Sequence, residues 1–231
     1  RVARPCHAGP PQPQHASAVL RLDVVVEAVA GAGGADVVAI TGDLIDGYVD
    51  RLEDEVAQVR ELKSRHGVFY VSGNHEYYWD GPAWLEAAKP KFGMNALVNQ
   101  HEILRHGDAL LVMGGVTDYS AERVVPEHAS DPKKAAAGAP EGAFKVLLAH
   151  QPKSVYAGAE AGFDLQLSGH THGGQFYPWN ILVGMAHPFL KGLHRFEEKM
   201  WVYVSSGTGY WGPPLRLGAP SEITLLTLRR V

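Results

Sequence analysis

The sequence predicts an α/β domain in which helices cover sheets. In the N-terminal half, short apolar runs that end at glycine alternate with helical stripes, while strands dominate the C-terminal half. Size and composition agree. With 231 residues, 45% hydrophobic and 20% charged, the chain sits near the upper limit of what one core organises, so a single domain over 1–231 is expected. Gly 26 and Pro 15 make about 18% of the chain against a typical ~12%. Many short loops are expected on that account.

The elements can be justified in order. Apolar recurrence from Ser17 to Ala30 predicts a helix stopped by Gly31–Gly34. Asp36–Thr41 (DVVAIT) reads as a buried strand closed by Gly42. Leu52, Val56, Val59 and Leu62 form an amphipathic stripe over Val49–Arg65, and GVFYVS at 67–72 is again a strand ending at glycine. Pro82 lies near the first turn of a short helix over 82–88. Further strands are predicted at 109–116, 145–149, 164–168, 201–205 and 222–228, with a helix over 152–161 and a polar, mobile stretch over 120–142.

Charge and cysteine content exclude several classes. A net charge of -4 without a long run of either sign leaves no electrostatic footprint for nucleic acid. The one cysteine, Cys6, excludes an internal disulfide and a Cys-based zinc knuckle. No run of 18 apolar residues exists. Because the chain opens at Arg1 and enters a Pro-rich stretch over 4–15, upstream sequence is expected to have been lost or processed away.

The residues immediately after the strands carry the chemistry. Gly42-Asp43 comes after the first, Gly73-Asn74-His75-Glu76 after the second, His150 after the strand at 145–149, and Gly169-His170-Thr171-His172 after the strand at 164–168. Ligands in α/β sheets bind outside the carboxyl ends of strands, so these residues share one rim. Alternate residues of an extended segment face opposite ways. The His170-Thr171-His172 loop must therefore bend if both imidazoles are to converge. Imidazole, carboxylate and amide oxygen without thiolate suit Zn, Mn, Fe or Ni.

In that order, GD at 42–43, GNHE at 73–76, His150 and GHTH at 169–172 resemble the calcineurin-like metallophosphoesterases from about His7 to Arg229. GHTHGGQ, the FYPWN segment at 176–180 and SSGTGYWGPPLRLGAPSEITLLTL narrow the likeness to a branch of membrane-anchored and exported bacterial phosphoesterases. The resemblance implies a four-layer α/β/β/α sandwich of two mixed sheets. It also implies two divalent metals that polarise the phosphoryl group and hold a hydroxide for in-line attack on a phosphomonoester or phosphodiester. Asp43 would bridge them; Asn74, His150 and His170 would complete one, and His172 and His7 would bind the other. His75 would face the phosphate as hydrogen-bond donor or general acid.

One departure stands out. The family's first motif is D-x-H, but Pro5 occupies the Asp position before His7, so the N-terminal 1–16 is expected to be truncated or degenerate and the second metal weakly held. A metal-binding relative with little turnover is the alternative. The resemblance further implies a phosphorylated small-molecule or lipid substrate and a membrane anchor upstream of Arg1; otherwise the chain would be cytoplasmic.

Apolar 176–190, with Tyr177, Trp179, Ile181, Leu182, Val183, Met185 and Phe189, reads either as core packing or as a lip touching acyl chains or the membrane interface. Lys191, His194 and Arg195 nearby meet an anionic headgroup or are solvated surface. Two motifs are decoys. GTGYWG at 207–212 is followed by Pro213-Pro214 where a dinucleotide site needs a helix, and His101 and His106 are spaced at i, i+5 rather than as a zinc protease pair. The remaining histidines, His15, His66, His101, His106, His128, His187 and His194, have no assigned role.

Overall fold

The computed structural model describes residues 25–28, for which only the backbone is considered, and 34–229. His7, Pro5 and most of the helix expected over 17–30 lie outside them. Where that segment is described, the expectation is overturned. Val25–Ala28 is a strand, β1, antiparallel to β2 (Val37–Ile40) and parallel to β11 (Thr224–Leu226). The run Val24-Val25-Val26 explains the switch: branching at Cβ restricts χ1 in a helix but suits an extended backbone, and here pairing is available on both sides.

Two mixed sheets result. One has the order β11-β1-β2-β3-β4, with β3 at Val68–Tyr70 and β4 at Asn95–Ala96. The other has the order β5-β6-β7-β8-β10-β9, where β5 is Gln100–His106, β6 Ala109–Gly115, β7 Phe144–Leu148, β8 Leu165–Ser168, β9 Gly192–Phe196 and β10 Met200–Val204. The two-residue period of each strand sorts its side chains between layers. Val37, Ala39, Phe69 and Val71 meet Met113, Val146, Leu148 and Leu167 between the sheets. Val38, Ile40, Val68 and Tyr70 face outward, beneath α1 (Val49–Val56) and α3 (Gly81–Phe92), which contribute Leu52, Val56, Trp84 and Phe92. On the far side Leu147, Val202 and Val204 pack with Ala135 of α4 (Pro132–Ala136) and Val155 of α5 (Val155–Glu160). The α/β/β/α layering expected from the sequence is therefore present.

Three local differences have physical causes. α2 (Asn74–Trp79) begins directly after the second strand-end glycine, and α3 follows it to Phe92, where Gly93 at φ 72° ends the helix. Asp80 caps α3, its carboxylate accepting from the Ala83 amide at 3.1 Å. β5 escaped prediction because it is an edge strand whose residues are mostly polar, and Leu104 alone is fully buried. That strand carries the His101 and His106 pair, which is therefore not helical. The 120–142 stretch is ordered rather than mobile: α4 and two 3-10 turns, Ala121–Arg123 and Pro126–His128, bury Ala121 and Ala135. Buried Asn99 holds it, donating to the Ala129 carbonyl at 2.8 Å and accepting from the Asp131 amide at 2.9 Å.

Candidate metal centre

Two loops from one sheet and two from the other meet at the carboxyl ends of parallel strands. Gly42 and Asp43 follow β2, and Gly73, Asn74 and His75 follow β3; His150 follows β7, and His170 follows β8. The β2 and β3 loops touch so closely that neither glycine tolerates a side chain. A Cβ on Gly42 (φ 93°) would lie 2.4 Å from the Gly73 amide nitrogen, and one on Gly73 would lie 2.2 Å from Asp43 Oδ1.

Asp43 is the centre of the arrangement. Its backbone has φ 52°, and its carboxylate accepts the His75 amide at 2.9 Å on Oδ1 while Oδ2 lies 3.0 Å from His150 Nε2. Burial would raise its pKa, but His150, through charge and hydrogen bond, and then His75 and His170 outweigh it and hold the carboxyl well below the usual range. Asp43 is therefore a buried, ionised carboxylate, suited to a cation.

The histidines are oriented by the backbone. His150 Nδ1 is 2.7 Å from the Thr41 carbonyl, which can only accept, so Nδ1 carries a proton and the ring turns Nε2 toward the site. Nε2 faces Asp43 Oδ2 and, at 3.1 Å, His170 Nδ1. Asp43, His150 and His170 thus offer ligand atoms that all lie within 4.8 Å of one another, a spacing that can hold a metal ion. Burial first, and then His150, push the His170 pKa down, so its imidazole is neutral and available. Asn74 Oδ1 is buried without a hydrogen-bond partner, while its Nδ2 donates to Tyr78 at 2.8 Å. A buried amide oxygen without a partner, one residue before the His75 amide that binds Asp43, is a candidate fourth ligand atom. The donor set fits a divalent ion.

His170 and His172 both have positive φ, 70° and 51°, which is the bend expected of the His-x-His loop. It does not bring His172 into the trio. His172 is buried, and its Nδ1 lies 3.2 Å from Arg216 Nη2. His75 is also buried, with Nδ1 3.2 Å from Asp46 Oδ1, the atom that also accepts Trp79 Nε1–H at 2.8 Å. A carboxylate behind the imidazole fixes its orientation.

Several contributors carried no recognised signal. Glu76 accepts from the Gly73, Asp43 and Leu44 amides at 2.7, 3.1 and 2.8 Å, joining the β2 and β3 loops; its place three residues after Gly73 is a capping-box spacing legible in the sequence. Burial and the neighbouring Asp43 raise its pKa to about 7. Arg216 donates to the carbonyls of Gly209, Ser206 and Ala219 as well as to His172, and Gln175 clasps Trp211 through its side chain. His187, one of the unassigned histidines, packs edge-on against His170 with ring centroids 4.9 Å apart. Burial, Lys153 and His150 lower its pKa to about 4.

Glu76→Gln replaces an acceptor of three amides by a group with one acceptor oxygen. Each amide left unpaired should cost about 1–3 kcal/mol. Urea unfolding should show that loss, together with a smaller stabilisation by added Mn or Zn; an unchanged midpoint with full metal stabilisation would refute the role.

Residues 14–174 match the Calcineurin-like phosphoesterase family. An uncharacterized metallophosphoesterase of Helicobacter pylori is 41% identical over 208 residues, 90% of this chain and 54% of that protein. The transmembrane protein with metallophosphoesterase domain of Danio rerio is 38% identical over 202 residues, 84% of this chain and 46% of that protein. Its Bos taurus counterpart is 37% identical over 203 residues, with the same coverage of each. The chain thus spans about half the length of these curated relatives. Among solved structures, the Thermus thermophilus sulfate thiohydrolase SoxB superposes with a TM-score of 0.50 at 24% identity, covering 74% of this chain and 34% of that one, a likeness of fold alone. With its family matched over most of the sequence and relatives more than a third identical, the chain belongs to the calcineurin-like metallophosphoesterases.

Proposed function

We propose that the chain hydrolyses a phosphomonoester or phosphodiester at a two-metal centre, with a substrate held close to a membrane. The observation that carries the reading is the convergence of ionised Asp43 with the His150 and His170 imidazoles, with the buried, unpartnered Asn74 oxygen on the adjoining loop. A divalent pair bound by such ligands polarises phosphoryl oxygens and lowers the pKa of water to make a nucleophile. Asp43, Asn74, His150 and His170 hold the first ion. Asp43, His172 and His7 are the proposed ligands of the second.

The protein's own part in the chemistry then falls to His75. Anchored at its backbone on Asp43 and at its ring on Asp46, it can donate a proton to the departing alkoxide without losing its orientation.

A second reading rests on Pro5 and on Arg216. A guanidinium only donates, so its contact makes His172 Nδ1 an acceptor and, in the neutral ring, leaves the proton on Nε2. Together with proline at the first-motif position, this supports a relative with one well-formed ion site and little turnover.

The membrane-proximal part rests on the lip. α6 (Trp179–Ala186) has no buried residue, and Tyr177, Trp179, Ile181, Leu182 and Met185 are exposed, Met185 at 80%. Trp179 stacks on exposed Trp211 at 5.6 Å. Phe189 differs from the others: it packs against Phe196 and His194, in the core margin. Aromatic and aliphatic side chains on an exposed helix, with Lys191 and Arg195 beyond its end, suit an anionic lipid interface. The relatives named as transmembrane proteins support the same placement.

With Mn or Zn supplied, the protein should hydrolyse an aryl phosphate, and Asp43→Ala or His150→Ala should abolish both turnover and the metal-induced rise in Tm. His75→Asn should lower kcat by roughly 100- to 10,000-fold with metal content retained. Full activity in the Asp43 or His150 variant would sink the assignment. Pro5→Asp separates the two readings: a gain in metal stoichiometry and rate supports the degenerate one, and no gain shows that the missing carboxylate is not limiting. For the lip, Trp179→Ala/Met185→Ala should reduce co-flotation with phosphatidylglycerol-containing liposomes while turnover of the soluble aryl phosphate persists. Equal flotation of variant and wild type would remove the membrane contact.

A further inference from the structure

His187 stands outside the metal trio but packs against one of its members, His170. Its position is fixed from both sides. The backbone N–H of His187 closes α6 on the Val183 carbonyl at 3.1 Å, and two residues later Phe189 is packed against Phe196. Leu190 then accepts the Thr171 hydroxyl at 2.6 Å, tying the segment to the loop between the two histidines of the GHTH motif. The ring is thereby held against His170, and its Nδ1 is buried with no hydrogen-bond partner. A buried ring nitrogen without a partner is costly, and such groups in native proteins point to an unseen ligand or a catalytic task.

The geometry of the metal trio narrows that task. Asp43, His150 and His170 already satisfy one another's approach to an ion, and His187 is not among the residues whose donor atoms meet there. Its ring instead packs edge-on against His170, next to the trio. Lys153, in the 3-10 turn that follows His150, adds a positive charge that is felt at the His187 ring. An imidazole and an ammonium beside a metal-ligating histidine form a place for an anionic oxygen.

We propose that His187, assisted by Lys153, binds a non-bridging phosphoryl oxygen of the substrate and orients the phosphoryl group at the metal centre. This rests on the phosphoesterase reading above and adds a substrate-binding residue contributed by the segment that closes the lip. His187 thereby links the exposed helix to the reacting group, because the same short segment ends α6 and carries the imidazole.

Inorganic phosphate is the probe. In the Mn-loaded protein, His187→Ala should weaken phosphate binding, measured by calorimetry, by roughly 10- to 100-fold, the range for a hydrogen bond to a charged group. KM for an aryl phosphate should rise, and metal stoichiometry and Tm should stay at wild-type values. His187→Gln, which keeps a donor at similar reach, should recover part of the loss, and Lys153→Ala should weaken phosphate binding to a smaller extent. Unchanged phosphate affinity in His187→Ala with wild-type hydrolysis intact would overturn this inference alone. A fall in metal stoichiometry would overturn it in favour of a metal ligand. Loss of both phosphate binding and hydrolysis in the wild type would overturn it together with the phosphoesterase reading.

Discussion

The site depends on keeping Asp43 ionised although its side chain is almost wholly buried. An isolated buried carboxylate would take up a proton, since burial disfavours its charge. Here the charge is held by His150 and His170 on one side and the His75 amide on the other, and the balance lies below the normal carboxylate range. These groups come from both sheets. The tie between His150 and the Thr41 carbonyl spans 109 residues of sequence, so the site forms when the two sheets are stacked and not before.

That dependence explains where backbone strain collects. Asp43, His170, His172 and Gln175 all have positive φ without being glycine. Each such residue costs of order 1–3 kcal/mol and persists where its surroundings over-determine it. Glu76 supplies one restraint through its three amides, and the second comes from the Gln175 and Arg216 contacts to the C-terminal loop. Glu76 and Asp43 are opposed in this respect. Both are buried carboxylates, but the one meeting imidazoles has its pKa lowered, while the other, meeting a neighbouring negative charge, is raised to about 7.

Much of this was legible from strand ends. Strand ends foretold that Asp43, His150 and His170 would come together, because the rule connecting them, ligands at the carboxyl ends of parallel strands, is topological and independent of side-chain detail. The errors arose where the rule is silent. Val25–Ala28 read as helix because strand pairing, with β2 on one side and sequence-distant Thr224–Leu226 on the other, leaves no mark in the local pattern, and edge strand β5 lacks apolar alternation. Asp46, Arg216 and His187 were missed for a related reason: each reaches the site through a tertiary contact without a local motif. The His172 ring shows the limit of motif reading, since its bend was foreseen but its Arg216 partner was not.

The lip illustrates how an exposed helix can be positioned without being buried. α6 contributes nothing to the core, yet both of its ends are fixed by polar contacts close to the metal ligands: Gln175 clasped to Trp211 before it, and Leu190 bonded to Thr171 after it. The apolar side chains of α6 can therefore change partners at little cost to the sandwich, whose three apolar clusters do not include them. The anchors are different in kind, because they share residues with the GHTHGGQ loop. Displacing either end of α6 would pull on Thr171 or Gln175, and through them on His170 and His172. The surface of the helix is thus free of the core while its ends are joined by hydrogen bonds to the loop that carries His170 and His172.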